Sequence, residues 1–112
     1  MVQTELRWLD MLLSEGSLDI LNFLKNNKTG QFTQLLKLKN KRTNKGFSPT
    51  TISARLDELE KMGAIATLAV KTSRRRTLGY QITAKGLKIL ETAYEFEETL
   101  KGIINKTVIK NE

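Results

Sequence analysis

The chain has no cysteine and no histidine among its 112 residues. That absence excludes disulfides, thiol nucleophiles, thiol-based redox sensing, zinc sites of the Cys/His kind and histidine general bases together. Proline is nearly missing too, since Pro49 is the only one. No apolar run approaches the roughly 18 residues that span a bilayer. The opening MVQTELRWLD lacks the basic stretch and apolar run expected of a secretory signal. The phosphate-cradling patterns G-x-x-x-x-G-K and G-x-G-x-x-G are both absent. Glu91, Glu95 and Glu98 stand four and three apart near the end of the chain, the spacing of a salt-bridging helix surface rather than of a catalytic pair. No catalytic residue, cofactor or metal ligand is therefore expected, and the length suits a single cytosolic domain, 1–112.

What the chain does have is positive charge, formally +7, unevenly placed. Residues 20–90 hold fifteen basic and three acidic side chains, a net +12, while residues 1–19 come to −3 and residues 91–112 to −2. No acid occurs from Ile20 to Leu56 or from Lys61 to Leu90. A block this one-sided repels itself, and a polyanion is the partner that relieves the repulsion. A membrane surface fits less well, because the basic residues are spread over loops instead of lying opposite one apolar helix face.

Hydrophobic spacing divides the chain into elements. Leu6, Leu9, Leu12 and Leu13 recur at helical intervals within Thr4–Leu13. Ser17 reads as the N-cap of a helix over Leu18–Asn26, with Ile20, Leu21 and Leu24 inward. Asn26–Gly30 reads as a loop, and a short helix with Phe32, Leu35 and Leu36 inward follows. Lys39–Gly46 has no apolar residue and four basic ones, which makes it an exposed loop. The clearest local signal is Ser48-Pro49. Ser48 can accept from the orphan N–H groups of a first helical turn, and Pro49 has no N–H to leave unpaired. That predicts a helix over 49–62, with Ile52, Leu56 and Leu59 inward and Gly63 as its left-handed cap. Strands over Ala64–Lys71 and Leu78–Ile82 flank a basic tip, 72–77, and form a hairpin. Thr83 caps a last helix from Ala84 to about Lys106. Leu87, Leu90 and Tyr94 line one side of it, and Ile89, Ala93, Phe96, Leu100 and Ile103 the other. A second apolar face on so long a helix asks for a partner chain.

The class is therefore mainly α with a small β-hairpin. Helix, short helix, turn, capped helix, basic hairpin and helix is the order of a winged helix-turn-helix, here its core at 17–83. An N-terminal helix (1–16) and a C-terminal helix (84–106) would form a homodimer interface through Leu6, Leu9, Leu13, Ile89, Ala93, Phe96, Leu100 and Ile103. The stretches GQFTQLL (30–36), FSPTTISARLDELEKMGAI (47–65) and LGYQITAKGLKIL (78–90) carry a family likeness. Ile52-Ser53-Ala54-Arg55-Leu56, Leu59, Gly63 and Ile65, then Tyr80-Gln81-Ile82-Thr83 and Gly86, follow the family pattern in order and spacing. On these residues the chain resembles winged-helix transcription regulators of the HxlR, PadR and MarR kind, HxlR most closely, over about residues 17–91. It departs from the pattern in the longer Lys39–Gly46 stretch and in a wing that has Ser73-Arg74-Arg75-Arg76 where HxlR proteins commonly carry a proline pair.

The expected partner is double-stranded DNA, with helix 49–62 in the major groove and wing 72–77 on the backbone or in the minor groove. With Ile52, Leu56 and Leu59 inward, the outward face holds Thr50, Ala54, Asp57 and Lys61. Ser48, Thr50, Thr51 and Ser53 offer hydroxyls to phosphates or base edges. Arg74, Arg75 and Arg76 suit phosphates or a narrow minor groove. Lys41, Arg42 and Lys45 add basic contacts from the loop. Arg55 flanks the core face, which leaves a phosphate clamp and an intramolecular pair both open. Asp57 and Glu58, further along, read as solubilising or salt-bridging residues. Trp8, Phe32, Tyr80, Tyr94 and Phe96 read as core or dimer contacts. Two other roles share this fold: an architectural DNA-binding protein without a preferred site, and a protein–protein interaction module. The +12 block argues against a purely protein-binding role. The residues indicate no effector.

Overall fold

Ser48 and Pro49 start their helix as their chemistry dictates. In the computed structural model, which describes residues 5–71 and 76–110, the Ser48 hydroxyl accepts from the Thr51 N–H at 3.1 Å and Pro49 is the first helical residue. The described elements are α1 (Arg7–Leu12), α2 (Ser17–Asn27), β1 (Thr29–Gln31), α3 (Phe32–Leu35), α4 (Pro49–Lys61), β2 (Ile65–Lys71), β3 (Arg76–Ile82) and α5 (Ala84–Lys110). The buried faces are those the spacing selects: Ile20, Leu21 and Leu24 of α2, Leu35 of α3, and Ile52, Leu56 and Leu59 of α4 meet Leu12, Phe47, Ala64, Ile65 and Leu90 in one core.

The hairpin forms between β2 and β3, paired antiparallel from Ile65 opposite Ile82 to Lys71 opposite Arg76. A third strand joins it. Thr29–Gln31, expected to be loop, pairs antiparallel with β3, Gly30 lying opposite Tyr80, so the sheet order is β1-β3-β2. Three residues are too few to show a period of two, and their partner is about fifty residues away, so only tertiary pairing creates this strand. Ser17 also differs from expectation. Gly16 is the N-cap of α2, and the buried Ser17 is its first residue, its hydroxyl donating back to the Met11 carbonyl at 2.9 Å. That bond gives a second donor to a carbonyl at the end of α1, which also accepts from the Ser14 N–H at 3.3 Å, instead of serving a donor at the start of α2. At the other end of the chain, α5 continues past the expected Lys106 to Lys110.

One junction ties these parts together. Gly63 takes the left-handed conformation (φ +77°) and ends α4. The Thr83 hydroxyl then donates to the Gly63 carbonyl at 2.6 Å and accepts from the Gly86 N–H at 2.9 Å, capping α5. The Thr83 N–H donates to the Ala64 carbonyl at 3.0 Å. Backbone of α5 and of the α4–β2 turn thus lie in contact, and a Cβ at Gly86 would overlap the Ala64 carbonyl oxygen. Among the described residues, no helix is long and apolar enough to cross a membrane.

Because the clash at Gly86 is with backbone, it cannot be relieved by a rotamer change. Gly86→Ala is expected to lower stability by about 3 kcal/mol, a fall of more than about 10 °C in the thermal midpoint. Gly102→Ala, in the same helix at a position with nothing within 4 Å, is expected to gain up to about 1 kcal/mol from helix propensity. Thermal unfolding of the two variants side by side checks both; similar midpoints would contradict the close packing at Gly86.

Candidate nucleic-acid interface

The outward face of α4 is set by its core face. With Ile52, Leu56 and Leu59 buried, Thr50, Ser53 and Asp57 are exposed and Ala54 half-buried. The Ser48 and Thr51 hydroxyls are engaged with each other at 2.9 Å within the cap, which leaves Thr50 and Ser53 as the hydroxyls turned outward. Thr50, Ser53, Ala54, Asp57 and Glu60 form one wall of a hollow of about 440 Å³, closed by Phe32 at the start of α3 and Tyr80 of β3. Burial pushes the Tyr80 phenol above its ordinary pKa, and the Glu60 and Asp57 carboxylates push it in the same direction. Two carboxylates therefore face this hollow, in a helix that the charge pattern made the centre of a basic block.

Arg55 lies on the opposite flank. Its Nη1 stands 3.5 Å from Glu58 Oε1, so of the two expected fates the structure contains the intramolecular pair. Asp57 and Glu58, read together in the sequence, are thereby separated: Glu58 faces Arg55, whereas Asp57 points outward. The outward wheel position of Asp57 is the signal that distinguishes them. Tyr80 and Phe32 were expected as core or dimer contacts. They pack partly against the core, and they also wall the hollow.

The basic loop is more ordered than its composition suggests. Lys39 bridges Gly46, the Asn40 N–H donates to the Lys45 carbonyl at 2.8 Å, and the Asn40 side-chain oxygen accepts from the Arg42 and Thr43 N–H groups. Lys41 and Arg42 line a second hollow with Leu13, Ser14, Glu15 and Asp19, away from the residues facing Tyr80. Burial raises the pKa of the Asp19 carboxyl and the Lys41 ammonium opposes that shift, as an ion facing its counter-ion does. Lys45 is exposed in the same loop. Of the wing arginines, Arg74 and Arg75 lie outside the described residues, and Arg76 is described only as the backbone that begins β3.

The residues expected at a dimer seam divide: five are exposed in the single chain, whereas Ile89 and Ala93 pack against its own core, and Leu87 and Tyr94, expected on the other stripe of α5, are exposed instead. Leu6 and Leu13 are 57 % and 56 % exposed, Phe96 44 %, Leu100 37 % and Ile103 57 %, while Leu9, Ile89 and Ala93 are half-buried. Between α1, the end of α4 and α5 lies a cavity of about 620 Å³ with Trp8, Leu9, Leu12, Met62 and Ile89 as its apolar lining and Lys61, Lys85 and Lys88 among its walls. On the far side of α5, the Tyr94 hydroxyl bonds the Asn22 side-chain oxygen, and Lys25 stands 5.9 Å from the Tyr94 ring centre.

No model of a known protein family matches the chain, and no curated protein matches it in sequence. Solved structures do match. A PadR family transcription regulator from Clostridium difficile superposes with a TM-score of 0.66 at 20 % identity, over 83 % of this chain and 97 % of that one. A protein assigned to the MarR family of transcriptional regulators, from Enterococcus faecalis, gives 0.67 at 16 % identity over 96 % of both chains. A transcriptional regulator homologue from Pyrococcus horikoshii gives 0.59 at 25 % identity over 86 % of both. The fold is a winged helix-turn-helix. In it α3 and α4 are the helix-turn-helix, β2 and β3 the wing, and β1 the short strand that anchors the wing to the core. The hollow walled by Thr50, Ser53, Asp57 and Tyr80 lies where the outer face of the second helix meets the wing.

The folded state holds the Tyr80 proton more tightly than the unfolded chain. The corresponding stability is fully present below the ordinary tyrosine pKa and is lost as the pH rises from there through the raised pKa of Tyr80. The chain has two tyrosines, so in a Tyr94→Phe background phenolate absorbance reports Tyr80 alone. It is expected to titrate above a free tyrosine, and Glu60→Gln or Asp57→Asn is expected to bring it down. A titration unmoved by either change would contradict the described hollow.

Proposed function

We propose that the chain is a double-stranded DNA-binding transcription regulator acting as a homodimer, with α4 in the major groove and the wing tip, 72–77, on the backbone or the adjacent minor groove. The observation that carries this reading is a coincidence of place. The outward, hydroxyl-bearing start of α4 stands within the stretch of net charge +12, in the fold shared with solved structures described as transcription regulators. Thr50 and Ser53 lie in the first turns of α4, where N–H groups and the helix dipole favour phosphate. Arg74, Arg75 and Arg76 supply phosphate neutralisation at the wing, joined by Lys41, Arg42 and Lys45 from the loop. Among winged-helix regulators, the motif around Arg55, Gly63 and Thr83 supports the HxlR kind as the nearest.

The homodimer reading rests on the exposed Leu6 and Leu13, which flank α1, and on the exposed Phe96, Leu100 and Ile103 of α5, apolar side chains of the kind that a partner chain covers. A two-fold pair sets its major-groove helices roughly 34 Å apart, which implies a pseudo-palindromic site.

Two measurements test the proposal. Replacing Arg74, Arg75 and Arg76 with alanine is expected to weaken binding to all duplexes and to flatten the dependence of log K on log salt, by roughly 0.9 for each phosphate that is no longer neutralised. An unchanged slope removes the wing from the interface. Sedimentation at micromolar concentration is expected to give a dimer, and Phe96→Asp with Leu100→Asp a monomer; a wild-type monomer there refutes the paired state.

A further inference from the structure

A helix in the major groove needs charge for phosphates and hydrogen-bonding groups for base edges, and α4 separates the two in an unusual way. Two cations lie in α4: Arg55 faces Glu58 on the inner flank, and Lys61, in the last turn, lines the cavity against α5. The outward groups Thr50, Ser53 and Ala54 are short and neutral. Asp57 is the first charged group on that face. It is exposed, shares the hollow with Thr50, Ser53 and Ala54, and has no ion-pair partner among the described residues. Glu60 lines the same hollow and acts on the Tyr80 phenol more strongly than Asp57 does.

A carboxylate lowered between two rows of phosphates is repelled unless it meets a hydrogen-bond donor. The donors on the major-groove edges of base pairs are the amines of cytosine and adenine. Adenine sets its N7 acceptor beside the amine, where it would face the lone pairs of a carboxylate. Cytosine presents the N4 amine without an adjoining acceptor of its own, so it is the matching base.

Resting on the DNA-binding reading above, we propose that Asp57 is the specificity-determining residue of α4. Its carboxylate accepts a hydrogen bond from the N4 amine of one cytosine in each half-site. On any other duplex the same carboxylate is left facing acceptors and phosphates, so a single side chain both selects the site and weakens binding elsewhere. This offsets the indiscriminate attraction that a +12 block exerts on all DNA.

The test is selection of bound duplexes from a random pool at moderate salt, using the full chain and the variants Asp57→Ala, Asp57→Asn and Glu60→Ala. The wild type is expected to enrich cytosine at one position per half-site and to lose about tenfold in affinity when that base pair is changed to thymine–adenine. Asp57→Ala is expected to lose this enrichment alone and to bind random duplexes more tightly. Asp57→Asn, which can both donate and accept, is expected to shift the position to adenine. Glu60→Ala is expected to keep cytosine. Cytosine enrichment that persists in Asp57→Ala overturns the proposal, and so does a wild type that binds duplexes tightly yet selects no base, the behaviour of an architectural protein. A wild type with no affinity for any duplex overturns the DNA-binding reading itself, a separate and distinguishable result.

Discussion

The arrangement depends on the contact between Thr83 and the turn that ends α4. One hydroxyl closes two structures at once: it donates to the Gly63 carbonyl and accepts from the Gly86 N–H. The end of α4, the start of the wing and the first turn of α5 are thereby fixed to each other through backbone, where packing tolerates little displacement. Gly86 is part of the same constraint, since the Ala64 carbonyl occupies the place a side chain would need. The orientation of α5 is thus set by a few backbone atoms at its first turn. Tyr94 and Asn22 hold it a second time, nearly three turns further on.

Electrostatics divides the same framework differently. The central stretch is basic and the ends acidic, yet the outer face of α4 breaks the rule with Asp57 and Glu60. Among the described residues much of the positive charge sits in the loop before α4, in Lys39, Lys41, Arg42 and Lys45, and in the sequence it gathers again at Arg74, Arg75 and Arg76. The helix surface between them is short, polar and, at Asp57, negative. On the proposed DNA-binding reading, long-range attraction and local discrimination fall to separate elements, which lets one be strong without erasing the other.

The capped start of α4, its core face, the hairpin and the Thr83 cap were all legible in the residues. Each of these is a local signal: a hydroxyl three residues before an orphan N–H, a period of 3.6, a glycine after a helix. The signals that misled were local as well. Ser17 looks like an N-cap, but its hydroxyl finds the Met11 carbonyl once α1 folds back. Thr29–Gln31 looks like loop because its strand partner is Gly79–Gln81. Arg55 could be placed on a flank, but only the structure sets its guanidinium beside Glu58.

By itself, then, the sequence determined which faces of α2 and α4 are buried, where α4 and α5 begin, and where the charge accumulates. Those properties follow from spacing, capping chemistry and counting. The tertiary structure alone decided that β1 joins the wing, that Lys41 faces Asp19, and that Phe32 and Tyr80 wall a hollow against the outward face of α4. These depend on contacts between residues distant in the chain. A one-dimensional pattern does not carry them.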